Sequence, residues 1–203
     1  MAEPTRNLFY TQKVVDHNGN ILLSNTQKGK RVMKESTAFL LTDAMKDVIT
    51  KGTGKSAKLS SSMAVAGKSG TTSNSYDYWF SGYTPYHTAS VWMGYDKNTN
   101  FASDNTHKKI WAKVMNEIIK TKQGQTTDFK KPADIVKAKV CKESGKLAIK
   151  EVCDHDPRGS RVITEYFEKG TVPTQTCDIH VAVEVCKQTI NSATKNCPAN
   201  KKQ

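Results

Sequence analysis

Three runs rich in Val, Trp, Tyr and Phe, roughly residues 63–71, 77–83 and 88–95, are separated only by short stretches of Ser, Asn and Pro and by Tyr86-His87. Connections this short cannot carry a crossover, so the runs are expected to pair as an antiparallel meander. Upstream, "FYTQKVVDHNGNILLSN" alternates and places Asn18-Gly19 between two apolar runs, which predicts a two-stranded hairpin. "ESTAFLLTDAMKDVITKGTG" sets Ala38, Leu41, Met45, Val48 and Ile49 at helical spacing, with Ser36 or Thr37 as N-cap and Gly52 or Gly54 as the stop. "THKKIWAKVMNEIIKTKQG" places Ile110, Trp111, Val114, Met115, Ile118 and Ile119 on one stripe before Gly124, a second amphipathic helix to cover one face of the sheet. The expected fold is therefore α+β, an antiparallel sheet packed against amphipathic helices.

The texture changes at "TKQGQTTDFKKPAD", a polar, linker-like stretch, and all five cysteines lie beyond it. A boundary near residue 127 divides residues 1–126 from a smaller linker and Cys-rich tail, residues 127–203. The tail repeats itself faintly: "AKVCKESGKLAIKEVCDHD" and "VEVCKQTINSATKNCPAN" share V-C-K, a polar turn, an Ala and a second Cys. Two short hairpins stapled by Cys141–Cys153 and Cys186–Cys197 would account for the repeat and leave Cys177 free. A rival pairs Cys153 with Cys177, and free or partly paired structural thiols are a third reading. A small polar segment buries too little apolar area to stay folded unaided, so disulfides are expected, and with them an extracytoplasmic location. Zinc is a further rival, because Cys153, His155, Cys177 and His180 supply the right ligand types. Neither half has the spacing of a zinc knuckle or finger, and no metal is assigned.

Thirty-one Lys and Arg against nineteen Asp and Glu give a net charge of +12 and a pI near 9.4. Such a balance favours an anionic environment: nucleic acid, anionic lipid or an acidic wall polymer. Nucleic acid is excluded as the expected partner, since there is no zinc-finger spacing, no aromatic-rich RNA signature and no basic reading helix. Most of the lysines read as solvated surface. No segment approaches the roughly 18 apolar residues of a membrane span, and "MAEPTRN" lacks the apolar core of a signal peptide. Met1-Ala2 before Glu3 reads equally as an added start.

The stretch "AVAGKSGTT" carries the chemistry. A lysine at the end of a buried strand, followed by a small hydroxyl residue and a glycine, suits an acyl substrate lying along that strand. The glycine lets the substrate backbone approach, the hydroxyls hold a carboxylate, and the ammonium adds positive field and relays a proton. By itself K-S-G is a weak triplet that also marks an ordinary strand end and turn.

Its surroundings are specific. "AVAGKSGTTSNSYDYWFSGYTPYHTASVWMGYDKN" resembles the strand-motif region of class A penicillin-binding proteins, where a K-T-G or K-S-G triplet is followed by T, by F-x-G-Y-T-P and by V-W-x-G-Y-D. "KVVDHNGNILL" and "TAFLLTDAMKDVITKGTG" look like the hairpin and the helix ending in G-T-G that precede the triplet there. The helix with Trp111 resembles the C-terminal helix of that transpeptidase domain, and "CDIH" after "FEKGTVPTQT" looks like the tail of Gram-positive members. The likeness runs from about Glu3 to His180.

The resemblance implies part of a serine transpeptidase or β-lactamase-like domain. It implies that Lys68 belongs to the catalytic hydrogen-bond network. Ser69 and Thr71, with Gly70 and Thr72 in the same stretch, would bind the carboxylate of a D-Ala-D-Ala stem peptide or of a β-lactam. The backbone N–H of Thr71 would supply half of an oxyanion hole. No cofactor is implied. The family order is S-x-x-K, then S-x-N, then the triplet, yet here Ser192-Ala-Thr-Lys195 and Ser103-Asp104-Asn105 both follow it. A circular permutant would make these the working motifs. Ser192 has no apolar helical face around it and Ser103 lies in a polar loop, so both read as chance matches. The chain is instead expected to be the C-terminal part of a membrane-anchored protein. Its upstream half would carry the nucleophile, and its partners would be peptidoglycan stem peptides and β-lactams. The alternative is a non-catalytic extracytoplasmic module that binds wall polymer or a partner protein.

Overall fold

In the computed structural model, residues 13–24, 31–120 and 127–182 are described. The chain divides into two compact units, residues 1–132 and 133–203. Among the described residues no helix is long and apolar enough to cross a membrane.

The first unit opens with the expected hairpin, β1 (Lys13–Val15) and β2 (Ile21–Ser24), paired antiparallel. Asp16 closes its turn: one carboxylate oxygen accepts the backbone N–H groups of Asn18 and Asn20, and Gly19 takes φ +86°, a conformation glycine enters without strain. Helix α1 (Glu35–Thr50) follows, with Lys34 rather than Ser36 or Thr37 as N-cap. It ends as expected on glycines, Gly52 N–H bonding back to Asp47 O and Gly54 N–H to Val48 O. Ile49 is buried, but Leu41 is exposed, so the inward stripe is narrower than the periodicity predicts.

The meander forms as read: β3 (Ala66–Thr71), β4 (Asp77–Tyr83) and β5 (Thr88–Gly94), antiparallel, in that spatial order. Helix α2 (Thr106–Ile119) covers one face. Its buried stripe is His107, Lys108, Trp111, Ala112, Met115 and Ile119, while Ile110 and Val114 are about half exposed. The predicted helix is correct but the predicted stripe is rotated. Trp111 fixes the rotation. Its ring meets Phe80 of β4 edge-on with centroids 5.2 Å apart, and its indole N–H donates to Ala89 O of β5 at 2.9 Å. With the indole anchored there, the neighbours one turn to either side, His107, Lys108 and Met115, face inward as well.

Two glycines make room for this contact. Gly67 and Gly82 stand opposite each other across β3 and β4. A Cβ on Gly82 would come within 2.8 Å of the Phe80 ring and 2.9 Å of Trp111, and one on Gly67 within 2.7 Å of Phe80 and 2.9 Å of Ser81 O. Ile49, Ala57, Leu59, Met63, Val65 and Met115 complete the core around the two rings.

In the second unit β6 (Ile135–Cys141) pairs antiparallel with β7 (Val162–Glu168). The first tail repeat is thus not a closed hairpin stapled to itself, because β6 finds its partner beyond Cys153. Nor are Cys141 and Cys153 joined: these two and Cys177 are free thiols that pack together in the unit's core with Ala148, Ile149 and Val162. Long-range pairing causes this. Leu147 bridges both Val140 and Thr176, drawing Cys177 into the space where the Cys141–Cys153 staple was expected. Cys186, Cys197 and Ser192 lie outside the described residues.

The glycine pair yields a direct prediction. Gly82→Ala should lower stability by about 1–3 kcal/mol through overpacking against Trp111. Gly70→Ala, whose Cβ would meet only Trp79 Cβ at 3.5 Å, should stay within about 0.5 kcal/mol of the parent chain. Urea unfolding of the two variants checks the contrast.

Candidate functional site

Lys68, Ser69, Gly70 and Thr71 lie on β3, which pairs with β4 on one side and, among the described residues, with no strand on the other. Thr72 N–H donates to Asp77 O at 3.1 Å, so the N–H of Thr72 points toward β4. Alternation along an antiparallel strand then sends the N–H and C=O of Thr71 and Ser69 to the open edge. An open strand edge of this kind can take an extended peptide as a further strand.

The side chains divide by face. Lys68 and Gly70 project to one face, Ser69 and Thr71 to the other. Lys68 is exposed, and its ammonium curls over to donate to Ser69 O at 2.7 Å, placing positive charge at the open edge. Ser69 Oγ lies 3.0 Å from Thr53 Oγ1. The Thr71 hydroxyl is exposed and has no hydrogen-bond partner among the described residues. Thr72 stands apart from the group, because its hydroxyl donates to Asp77 Oδ2 at 3.1 Å and accepts Asp77 N–H at 2.9 Å, closing the β3–β4 turn. Asp77 is held in turn by the indole N–H of Trp92.

One member of the site has no sequence signal of its own. Lys108, buried at the start of α2, donates to Thr53 O and to Asn105 Oδ1, each at 2.8 Å. It therefore fixes the threonine that touches Ser69. Burial, and then the nearby Lys68 ammonium, hold its pKa below the ordinary lysine value. Among 31 Lys and Arg, only its place one turn before Trp111 distinguishes it. His107 beside it is also buried, and burial followed by the Lys108 charge lowers its pKa.

The Ser103-Asp104-Asn105 triplet is a helix cap. Ser103 Oγ lies 3.2 Å from His107 Nδ1 and accepts the N–H of Asn105, and Asp104 accepts from Thr106 and from Lys109. The hydrogen bond from the Thr106 side chain, and then that from Lys109, hold the Asp104 carboxyl down at about 2. Asn105 takes a left-handed φ of +70° and its carbonyl accepts the N–H groups of Lys108 and Lys109. The site at β3 is an edge rather than an enclosed cavity. Two cavities of the first unit, about 350 and about 640 Å3, lie away from it, the larger against Phe39, Leu41, Tyr83, Tyr86 and Phe129.

In the second unit Cys141, Cys153, Cys177 and His180 bring three sulfurs and an imidazole nitrogen within 4.8 Å of one another, the only group of this kind among the described residues. Burial pushes the Cys153 thiol up to about 11. Burial also acts against ionisation of Cys177, yet hydrogen bonds led by the Ser144 hydroxyl and the His180 N–H bring it down to about 5. His180 is raised to about 9 by its hydrogen bonds to Cys177 and then to Asp156. His155 is not part of the group: it is exposed, and its ring nitrogen contacts Asp154.

Residues 5–120 match the family described as the penicillin binding protein transpeptidase domain, and residues 131–182 match the C-terminal domain of penicillin-binding protein 1A. The chain belongs to the penicillin-binding protein transpeptidase family. It is 37% identical over 180 residues to penicillin-binding protein 1A of Clostridium perfringens, covering 87% of this chain and 21% of that protein. With penicillin-binding protein 1A of Clostridium botulinum the identity is 38% over 197 residues, 94% of this chain and 23% of the relative. The chain thus spans about a fifth of the length of these relatives. The crystal structure of penicillin-binding protein 1A from Haemophilus influenzae superposes with a TM-score of 0.60 at 21% identity, over 86% of this chain and 31% of that one, a likeness of fold.

The lowered Lys108 pKa fixes a pH dependence. Above the lowered value and up to the ordinary 10.5, the unfolded chain holds more of this proton than the folded one, so the Lys108 contribution to stability rises with pH through that window. Lys108→Met should flatten the rise, read as the difference between the two proteins in urea midpoints from pH 8 to 11.

Proposed function

We propose that this chain supplies the K-S-G wall of the acyl-transfer site of a D,D-transpeptidase that cross-links peptidoglycan. The observation that carries the reading is the open edge of β3, where Thr71 and Ser69 present backbone groups and hydroxyls beside the Lys68 ammonium. Family membership supports the reaction class.

The steps follow from acyl transfer to a serine. A serine hydroxyl from the segment preceding this chain in its parent protein attacks the penultimate D-Ala carbonyl. The new Oγ–C bond forms, the peptide C–N bond breaks, and the departing D-Ala amine takes up a proton. An amine from a second strand then attacks the ester carbonyl, forms the cross-link and returns the proton to the serine oxygen. Lys68 adds positive field and relays protons at the serine. The Ser69 and Thr71 hydroxyls hold the terminal carboxylate, with Ser69 kept in place by Thr53 and Thr53 by Lys108. The outward Thr71 N–H donates to the oxygen that becomes negative in the tetrahedral intermediate, a term worth about 3–4 kcal/mol when one such donor is removed. Gly70 keeps the strand surface low enough for close approach. A β-lactam enters the same site and stops at the acyl stage. The parent is anchored in the plasma membrane with this site on its outer side, where the wall lies, and the chain's charge of +12 suits the anionic polymers there. The exposed Val32, Met33 and Leu41 beside the larger cavity form the apolar surface that the preceding half covers.

The chain alone should take no label from a fluorescent penicillin, whereas the chain co-expressed with the preceding half should be labelled stoichiometrically. In that assembly Lys68→Ala should cut the acylation rate by at least 100-fold and Thr71→Ala by about 10-fold or more, with folding intact by circular dichroism. Stoichiometric labelling of the isolated chain would overturn the assignment of the serine to the preceding half.

A further inference from the structure

We propose that Cys141, Cys153, Cys177 and His180 form a structural zinc site that holds the C-terminal unit together. The ligand set is Cys3His, a closed tetrahedral combination for Zn2+. With Zn–S near 2.3 Å and Zn–N near 2.1 Å, the ligand atoms of a Cys3His tetrahedron lie about 3.6–3.8 Å apart. His180 Nδ1 is 3.4 Å from Cys141 Sγ and 3.4 Å from Cys177 Sγ, and all four donor atoms fall within 4.8 Å of one another. The three sulfurs are buried, so the site is closed to solvent ligands.

The surroundings favour thiolates on a metal over a disulfide. The backbone N–H of Ile149 donates to Cys153 Sγ at 3.3 Å, and the imidazole Nδ1 of His180 lies 3.4 Å from both Cys141 Sγ and Cys177 Sγ. An amide aimed at sulfur stabilises negative charge there, which a disulfide sulfur does not carry. Joining any two of the cysteines would also need an S–S bond of about 2.05 Å, leaving the third thiol and the imidazole nitrogen without a role.

The outer shell fits a metal-bound histidine. His180 Nε2 lies 2.9 Å from Asp156 Oδ2, so its N–H donates to a carboxylate while Nδ1 faces the sulfurs. A carboxylate behind a ligating imidazole fixes the tautomer and the ring orientation. Asp156 is held by Arg158 at 2.8 Å, and the partly buried Arg161 lies 3.7 Å away, balancing a site whose three thiolates outweigh the ion by one charge. On binding, the thiol protons and the Nδ1 proton leave to solvent. The fold brings the ligands from four places, the end of β6, the turn at Cys153–His155, the Thr176 bridge and the segment after it, so one ion crosslinks most of the unit.

Elemental analysis of the full chain, purified without chelator, should find one zinc per chain. Co2+ added to the metal-free, reduced chain should give the intense visible bands and thiolate charge-transfer absorption of a tetrahedral site. Cys177→Ser should abolish the charge-transfer spectrum. Asp156→Asn, which leaves all four ligands, should weaken Zn2+ binding about 10–100-fold in chelator competition. The double variant Cys186→Ser, Cys197→Ser should keep the metal. A disulfide between any two of Cys141, Cys153 and Cys177 in the non-reducing peptide map would overturn the proposal. So would a reduced chain that takes up no Co2+, or a metal lost with Cys186 and Cys197 but retained by Cys177→Ser.

Discussion

The contact between Phe80 and Trp111 sets the geometry on which the first unit depends. Two large rings meet edge-on over a floor from which side chains have been removed, the cross-strand pair Gly67 and Gly82. A ring pair of this kind contributes about 0.5–1.5 kcal/mol beyond the area it buries, and its directionality fixes the rotation of α2 against the sheet. The indole bond to Ala89 O adds a second point of attachment on a different strand. With α2 locked to both β4 and β5, its first turn can only fall beside the end of β3.

That placement connects the core to the chemistry. The cap formed by Ser103, Asp104 and Asn105 starts α2 where Lys108 reaches Thr53, and Thr53 reaches Ser69. A buried lysine without a carboxylate partner is costly. Here two oxygens hold it, one from the loop after α1 and one from the cap, so its position ties both to the open edge of β3. In the proposed reaction Lys108 is a positioning residue, because it touches Thr53, the residue beside Ser69, and not Ser69 itself.

Much of this was legible from residue order because the deciding signals are local. Asn18-Gly19 marked a hairpin, the short connections forced the meander, and the glycines after Ile49 ended α1. The K-S-G triplet gained meaning from its aromatic neighbours. What could not be read depends on partners distant in sequence. The stripe of α2 follows from where Trp111 docks, so His107 and Lys108 are buried while the more apolar Ile110 and Val114 are not. Likewise the repeat of Cys141 and Cys153 predicts a local staple, and adjacency makes His155 the companion of Cys153 in the sequence. The pairing of β6 with β7 and the bridge from Leu147 to Thr176 instead deliver Cys177 and His180 to Cys141. Thr72, adjacent to the triplet, serves the turn through Asp77, a distinction that proximity in sequence does not make.

The central claim is that the open edge of β3 receives the acyl-peptide through the outward groups of Ser69 and Thr71. Amide hydrogen exchange in the assembled parent protein, before and after covalent reaction with a β-lactam, tests it most directly. Exchange at Thr71 should slow by at least 10-fold on acylation, while the β4-facing amides of Gly70 and Thr72 stay as they were. Acylation that leaves Thr71 unchanged and protects a different strand edge would contradict it.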